Sequence, residues 1–122
     1  MRTLLLLLLT ACGAPAPKPC DLVGIWSGSP LQGNFAGERV TQIFKSDTTY
    51  EIDLNDAPFF ANWKFENNRL TLSEDTSCQS TGPAQYDVTF YGCDMAIYAI
   101  VSDDCMGRAM TLNGMSITRL PN

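Results

Sequence analysis

A chain of 122 residues with 13 acidic against 8 basic side chains carries a formal charge of −5. That length allows one domain with a modest core, and the acidity sets it against phosphate-rich partners, so nucleic acid is not an expected ligand. There is no histidine, which removes the usual Ser-His and Cys-His nucleophiles and the commonest metal ligand.

In chain order, the first element is not part of the domain. Arg2 followed by the run Leu4 to Leu9 reads as a charged n-region and an apolar h-region, too short to cross the roughly 30 Å bilayer core as a helix. It ends in Leu9-Thr10-Ala11-Cys12, which resembles a bacterial lipobox. The resemblance implies a signal peptide over 1–11, acylation of Cys12, and the membrane as a partner through that lipid. Gly13, by resemblance to enteric lipoproteins, points to the outer membrane. Residues 12–19 form a lipidated, proline-rich tether, about 20 Å long in polyproline II geometry, and 20–122 are the folded domain. Export implies an oxidising compartment. Cys20, Cys78, Cys93 and Cys105 contain no Cys-x-x-Cys spacing and are read as two disulfides rather than a metal site.

From Asp21 onward, short alternating apolar runs are separated by turn residues at intervals of about ten, the pattern of an all-β sandwich or barrel. The predicted strands are Leu22 to Gly28, Glu38 to Lys45, Thr48 to Leu54, Phe59 to Glu66, Arg69 to Ser73, Gln85 to Tyr91, Met95 to Val101 and Met115 to Leu120. Asn67-Asn68 suits a tight hairpin because asparagine tolerates positive φ. The segment Met95 to Val101 is apolar on both faces. If the turn before it is even-numbered, Met95, Ile97, Ala99 and Val101 point inward. The last loop, 102–114, has room for one helical turn capped by an aspartate.

Eight hairpin-linked strands avoid exposed edges by closing into an antiparallel up-and-down eight-stranded β-barrel. If the first strand runs from base to mouth, the turns at 46–47, 67–68 and 92–94 lie at the base. Loops 29–37, 55–58, 74–84 and 102–114 then lie at the mouth. Among the possible connectivities, only Cys20 to Cys93 with Cys78 to Cys105 keeps each bridge at one end.

At Gly24-Ile25-Trp26 the first strand resembles the Gly-x-Trp signature of the calycin superfamily, which includes lipocalins and avidins. In lipocalins a basic residue near the end of the last strand covers that tryptophan, and the resemblance gives this role to Arg119. Val101-Ser-Asp-Asp-Cys-Met-Gly-Arg108, followed by a final strand ending in Thr-Arg, is similar to small bacterial lipocalin-like proteins. The avidin resemblance does not extend to biotin, because Gly28 stands where avidins have their biotin-contacting asparagine.

The residues expected to face inward are Trp26, Val40, Gln42, Phe44, Tyr50, Ile52, Leu54, Phe59, Trp63, Phe65, Leu70, Leu72, Tyr86, Val88, Phe90, Ile97 and Ile117. One reading makes them a cup for a small hydrophobic ligand, contacted by Gln42, Tyr50, Trp63, Tyr86 and Phe90, with Gln42 and the tyrosine hydroxyls as polar orienters. The other fills the interior with side chains and leaves the mouth loops to contact an envelope protein. Asp103 and Asp104, with Glu74 and Asp75 across the mouth, are oxygen donors of the kind calcium takes. Loop aspartates are more often turn formers, and Arg108 is placed to pair with one. No metal, cofactor or catalytic residue is therefore assigned. The leading expectation is a lipocalin-like barrel, lipid-anchored in the bacterial cell envelope, that binds a small hydrophobic molecule.

Overall fold

The computed structural model describes residues 18–78 and 81–121. The signal segment, Cys12 and most of the tether lie outside them. Eight antiparallel strands close into one barrel in sequence order: β1 (Gly24–Gly28), β2 (Val40–Phe44), β3 (Thr49–Leu54), β4 (Ala57–Glu66), β5 (Arg69–Ser73), β6 (Ala84–Phe90), β7 (Met95–Ser102) and β8 (Ser116–Arg119), with one helix among the described residues, α1 (Met106–Leu112), before β8. Closure occurs where β1 meets β8, with Trp26 opposite Arg119 and Gly28 opposite Ile117. Each strand thus has a neighbour on both sides among the described residues.

Turn chemistry sets the register. Asn67 and Asn68 both take positive φ (52° and 59°), so Glu66 pairs directly with Arg69. Asn55 and Asp56 do the same at the opposite end (φ 53° and 65°). That turn is tighter than the 55–58 loop expected, so β4 begins at Ala57, opposite Leu54. Both are two-residue hairpins of the kind whose twist matches the flanking strands.

Alternation then sends one side of each strand inward. Trp26, Val40, Gln42, Phe44, Tyr50, Ile52, Leu70, Leu72, Tyr86, Val88 and Ile117 are buried, and Leu54, Phe59, Trp63, Phe65 and Phe90 pack partly buried against them. Ile97 is a correction. Directly paired residues on antiparallel strands share a face, and Val88 pairs with Tyr98 and Phe90 with Ala96. Ala96 and Tyr98 therefore enter the core while Met95, Ile97 and Val101 lie on the outside. Five residues, 91–95, separate the paired Phe90 and Ala96, and this odd number reverses the expected parity.

The lower half of the barrel is filled by aromatic rings. Phe44 meets Tyr50 at 5.0 Å and the edge of Trp63 at 5.3 Å, Phe65 meets Phe90 at 5.9 Å, and Trp26 meets Phe90 at 6.5 Å between centroids. These tilted and edge-on contacts are the arrangements that ring quadrupoles favour. The upper half is closed differently. Strand β8 pairs with only Met95–Ile97 of β7, and the gap above is covered by the segment around α1. Gly114 N–H donates to Tyr98 O at 2.9 Å, and Ile100 N–H donates to the Asn113 side chain at 3.0 Å. The helix is longer than the single expected turn. No side chain caps it at Cys105, although Asp103 accepts the Cys105 N–H at 2.9 Å.

The two disulfides are Cys20 with Cys93 at the base and Cys78 with Cys105 at the mouth, as the up-and-down order requires, with sequence separations of 73 and 27. In the chain-entropy account such loops stabilise by about 4 and about 3.5 kcal/mol, less any native strain.

Candidate functional site

The base is sealed, and its residues are architectural. Trp26 is fully buried, and its indole N–H donates to Leu22 O at 2.8 Å. Arg119 lies over that ring, with Cζ 4.3 Å from the centroid. Its guanidinium ties four places together, donating to the backbone carbonyls of Asp21, Val23 and Cys93 and to the Asp94 carboxylate. Gly24 makes this possible. Its φ is +136°, and a Cβ there would sit 2.8 Å from Arg119 Nη1. Gly24, Trp26 and Arg119 thus form one assembly.

The mouth is organised around Arg108, which projects from α1 with a side chain only 4% exposed. Its Nε and Nη2 make a fork onto Asp103, at 2.9 and 2.8 Å. Nη2 also reaches Gly82 O at 3.3 Å, and Nη1 lies 3.5 Å from Asp75 Oδ2. Tyr86 donates its hydroxyl to Asp103. Burial opposes the charge on Asp103, but the bonds from Arg108 and Tyr86 outweigh it and hold the carboxyl below its ordinary range. Burial likewise disfavours the Arg108 charge, and Asp103 and Asp75 more than restore it. The Tyr86 hydroxyl is pushed up, by burial first and then by its bond to Asp103. Asp75 and Asp103, raised in the sequence as possible calcium donors, thus converge on a guanidinium, while Glu74 accepts a bond from Asn62 instead. The Cys78–Cys105 bridge staples the two loops that carry these carboxylates.

Between this network and the upper walls of β3, β4 and β5 lies a cleft of about 170 Å³. Its walls are chiefly apolar: Phe35, Ile52, Leu54, Phe59, Leu72 and Leu112, with Tyr50 among them. Its polar margin is Asp75, Ser77, Arg108 and Thr111. The volume is close to that of engineered apolar cavities of about 150 Å³ that accept benzene and well below the roughly 300–1,000 Å³ of drug-sized pockets. The space admits one slim apolar group.

Of the ligand contacts expected from sequence, only Tyr50 lines this cleft. Gln42 is fully buried below it, its Oε1 accepting the hydroxyls of Tyr50 and Tyr98, each at 2.9 Å. Its Nε2 has no partner among the described residues. Tyr86 is occupied by Asp103 at the back of the mouth. Trp63 and Phe90 are corrections as well. Both belong to the lower aromatic packing, and the Trp63 indole N–H donates to Lys45 O at 2.9 Å. Burial pushes the Tyr50 and Tyr98 hydroxyls far up, so this layer stays neutral.

The residues that sequence reasoning missed are Phe35, Leu112 and Tyr98. Phe35 was hidden in a glycine-rich loop with no alternation. Leu112 follows Arg108 by four positions, one helical turn, and this spacing is the signal that would have placed both on one face of α1. In comparisons with known proteins, no family model matches this chain and no curated protein matches it.

Proposed function

We propose that this protein is a lipid-anchored, lipocalin-like barrel of the bacterial cell envelope that holds the apolar part of a small molecule in the cleft at its mouth. The observation that carries the reading is the cleft itself: apolar walls from three strands, one loop and α1 converge on a space large enough for a ring or a short alkyl chain. The ligand is not enclosed within the barrel, because the Gln42 layer and the rings beneath it fill the interior. The envelope address rests on Leu4 to Cys12 and, more weakly, on the two disulfides. Partner, ligand and anchor belong to one scheme, with lipid at Cys12 and binding at the mouth.

Native mass spectrometry of the purified protein, together with titration of an apolar fluorescent dye, tests the binding reading. A dye enhancement in the native protein that disappears in Leu54→Trp, where the larger ring fills the cleft, is the expected result. No copurified molecule and no enhancement would overturn it. Those data would favour a second reading, in which the solid interior supports mouth loops that contact another envelope protein. That alternative draws on the complete burial of Gln42 and Tyr86. The anchor is tested separately by labelling with radioactive palmitate, which Cys12→Ser should abolish.

A further inference from the structure

The charges at the edge of the cleft point to the chemical class of its ligand. This step rests on the apolar-cleft reading above and adds a polar end to the molecule. Asp103 is saturated by the Arg108 fork, the Tyr86 hydroxyl and the Cys105 N–H. Asp75 is not. Its Oδ1 accepts the backbone and hydroxyl donors of Ser77. Its Oδ2 has Arg108 Nη1 at 3.5 Å, well beyond the roughly 2.7–2.9 Å of a charge-assisted hydrogen bond. Asp75 is 6% exposed and lines the cleft, so a carboxylate oxygen with spare acceptor capacity sits beside an apolar space.

The sign of the local field agrees. Asp75, Asp103 and Arg108 together carry one net negative charge at low exposure. The mouth loops add Glu38, Asp56, Glu74 and Asp104 against Arg39 alone. A ligand carboxylate would be a third anion around one guanidinium already shared by two. A ligand ammonium would instead extend the alternation, accepting Asp75 as its counter-charge while its hydrocarbon lies against Ile52, Leu54 and Leu72.

We infer that the cleft selects small amphipathic amines, with the ammonium on Asp75 and the alkyl or aryl group among the apolar walls, and discriminates against carboxylates of the same size. The test titrates the purified protein at low salt with hexylamine, hexanol and hexanoate. Binding is read from the methyl resonances of Ile52, Leu54, Leu72 and Leu112. Hexylamine should bind about tenfold more tightly than hexanoate, a ratio set by one net charge at short range, with hexanol between them. In Asp75→Asn, whose amide oxygen can still accept from Ser77, the amine should fall to the affinity of the alcohol while hexanol is unchanged. Hexanoate binding as tightly as hexylamine in the native protein would overturn the amine preference and leave the apolar cleft standing, whatever the fate of the variant. No methyl shift with any of the three would overturn both.

Discussion

The two ends of the barrel are each built around a central arginine and a disulfide, Arg119 with Cys20–Cys93 and Arg108 with Cys78–Cys105, yet they close in different ways. At the base, Arg119 lies on the face of Trp26 and donates mainly to backbone carbonyls, so it completes a packed aromatic plug. At the mouth, Arg108 is held by two carboxylates, and the strap it forms leaves a space beneath. The contrast follows from what each interaction demands. Ring packing is dense only where side chains interdigitate. An ion network is directional and fixes its members at set distances, whether or not the volume beside it is filled. The end closed by packing leaves no space among its rings, and the end closed by charge leaves the cleft beside it.

Substitution at the base should have the largest effect. Trp26→Ala removes the plug and should destabilise the fold by about 3 to 5 kcal/mol in urea unfolding, as large aromatic truncations do. A loss under about 1 kcal/mol would mean the base does not depend on packing. At the mouth, Arg108→Met keeps volume but leaves Asp75 and Asp103 uncompensated, at a cost of about 3 kcal/mol. Adding Asp103→Asn to that variant should recover part of the loss, because one orphaned charge is gone. No recovery would show that Arg108 acts through packing, as Trp26 does.

The smallest effect separates the ends by pH. The folded-state pKa of Asp103 lies below its ordinary value, so its contribution is complete above the unfolded value near pH 4 and fades as pH falls through the folded one. The urea midpoint should therefore be level from pH 7 to about 5 and drop below about 4, and Asp103→Asn should flatten part of that drop. Asp47, exposed at the base turn, is also held low by its bonds from Thr49, so the informative quantity is the part of the drop specific to Asp103. An unchanged profile in Asp103→Asn would remove the network from the account of acid stability.

The fold was legible because its rules are local and repeated. Two-residue periodicity, Asn-Asn at a hairpin, and base-to-mouth alternation placed the strands and paired the cysteines. The parity of β7 was not legible, because Met95 to Val101 is apolar on both faces and the register depends on a turn length that composition does not reveal. The site was harder still. Tyr50 was found as an inward residue, but the choice between Gln42, Trp63, Tyr86 and Phe90 depended on depth along the barrel axis, and alternation gives the face of a residue without its height. The carboxylates and Arg108 were visible as charged loop residues. Only the Cys78–Cys105 bridge and the helix bring them to one point.

The placing of Pro19 and Leu120 has a practical consequence. Cys20 is fastened to Cys93, and β8 runs down to Arg119 beside it, with Leu120 N–H donating to Ile25 O at 2.8 Å. Pro19 and Leu120 therefore both lie at the base, opposite the cleft. An affinity tag or a sensor surface attached at either residue would leave the opening of the cleft toward solution.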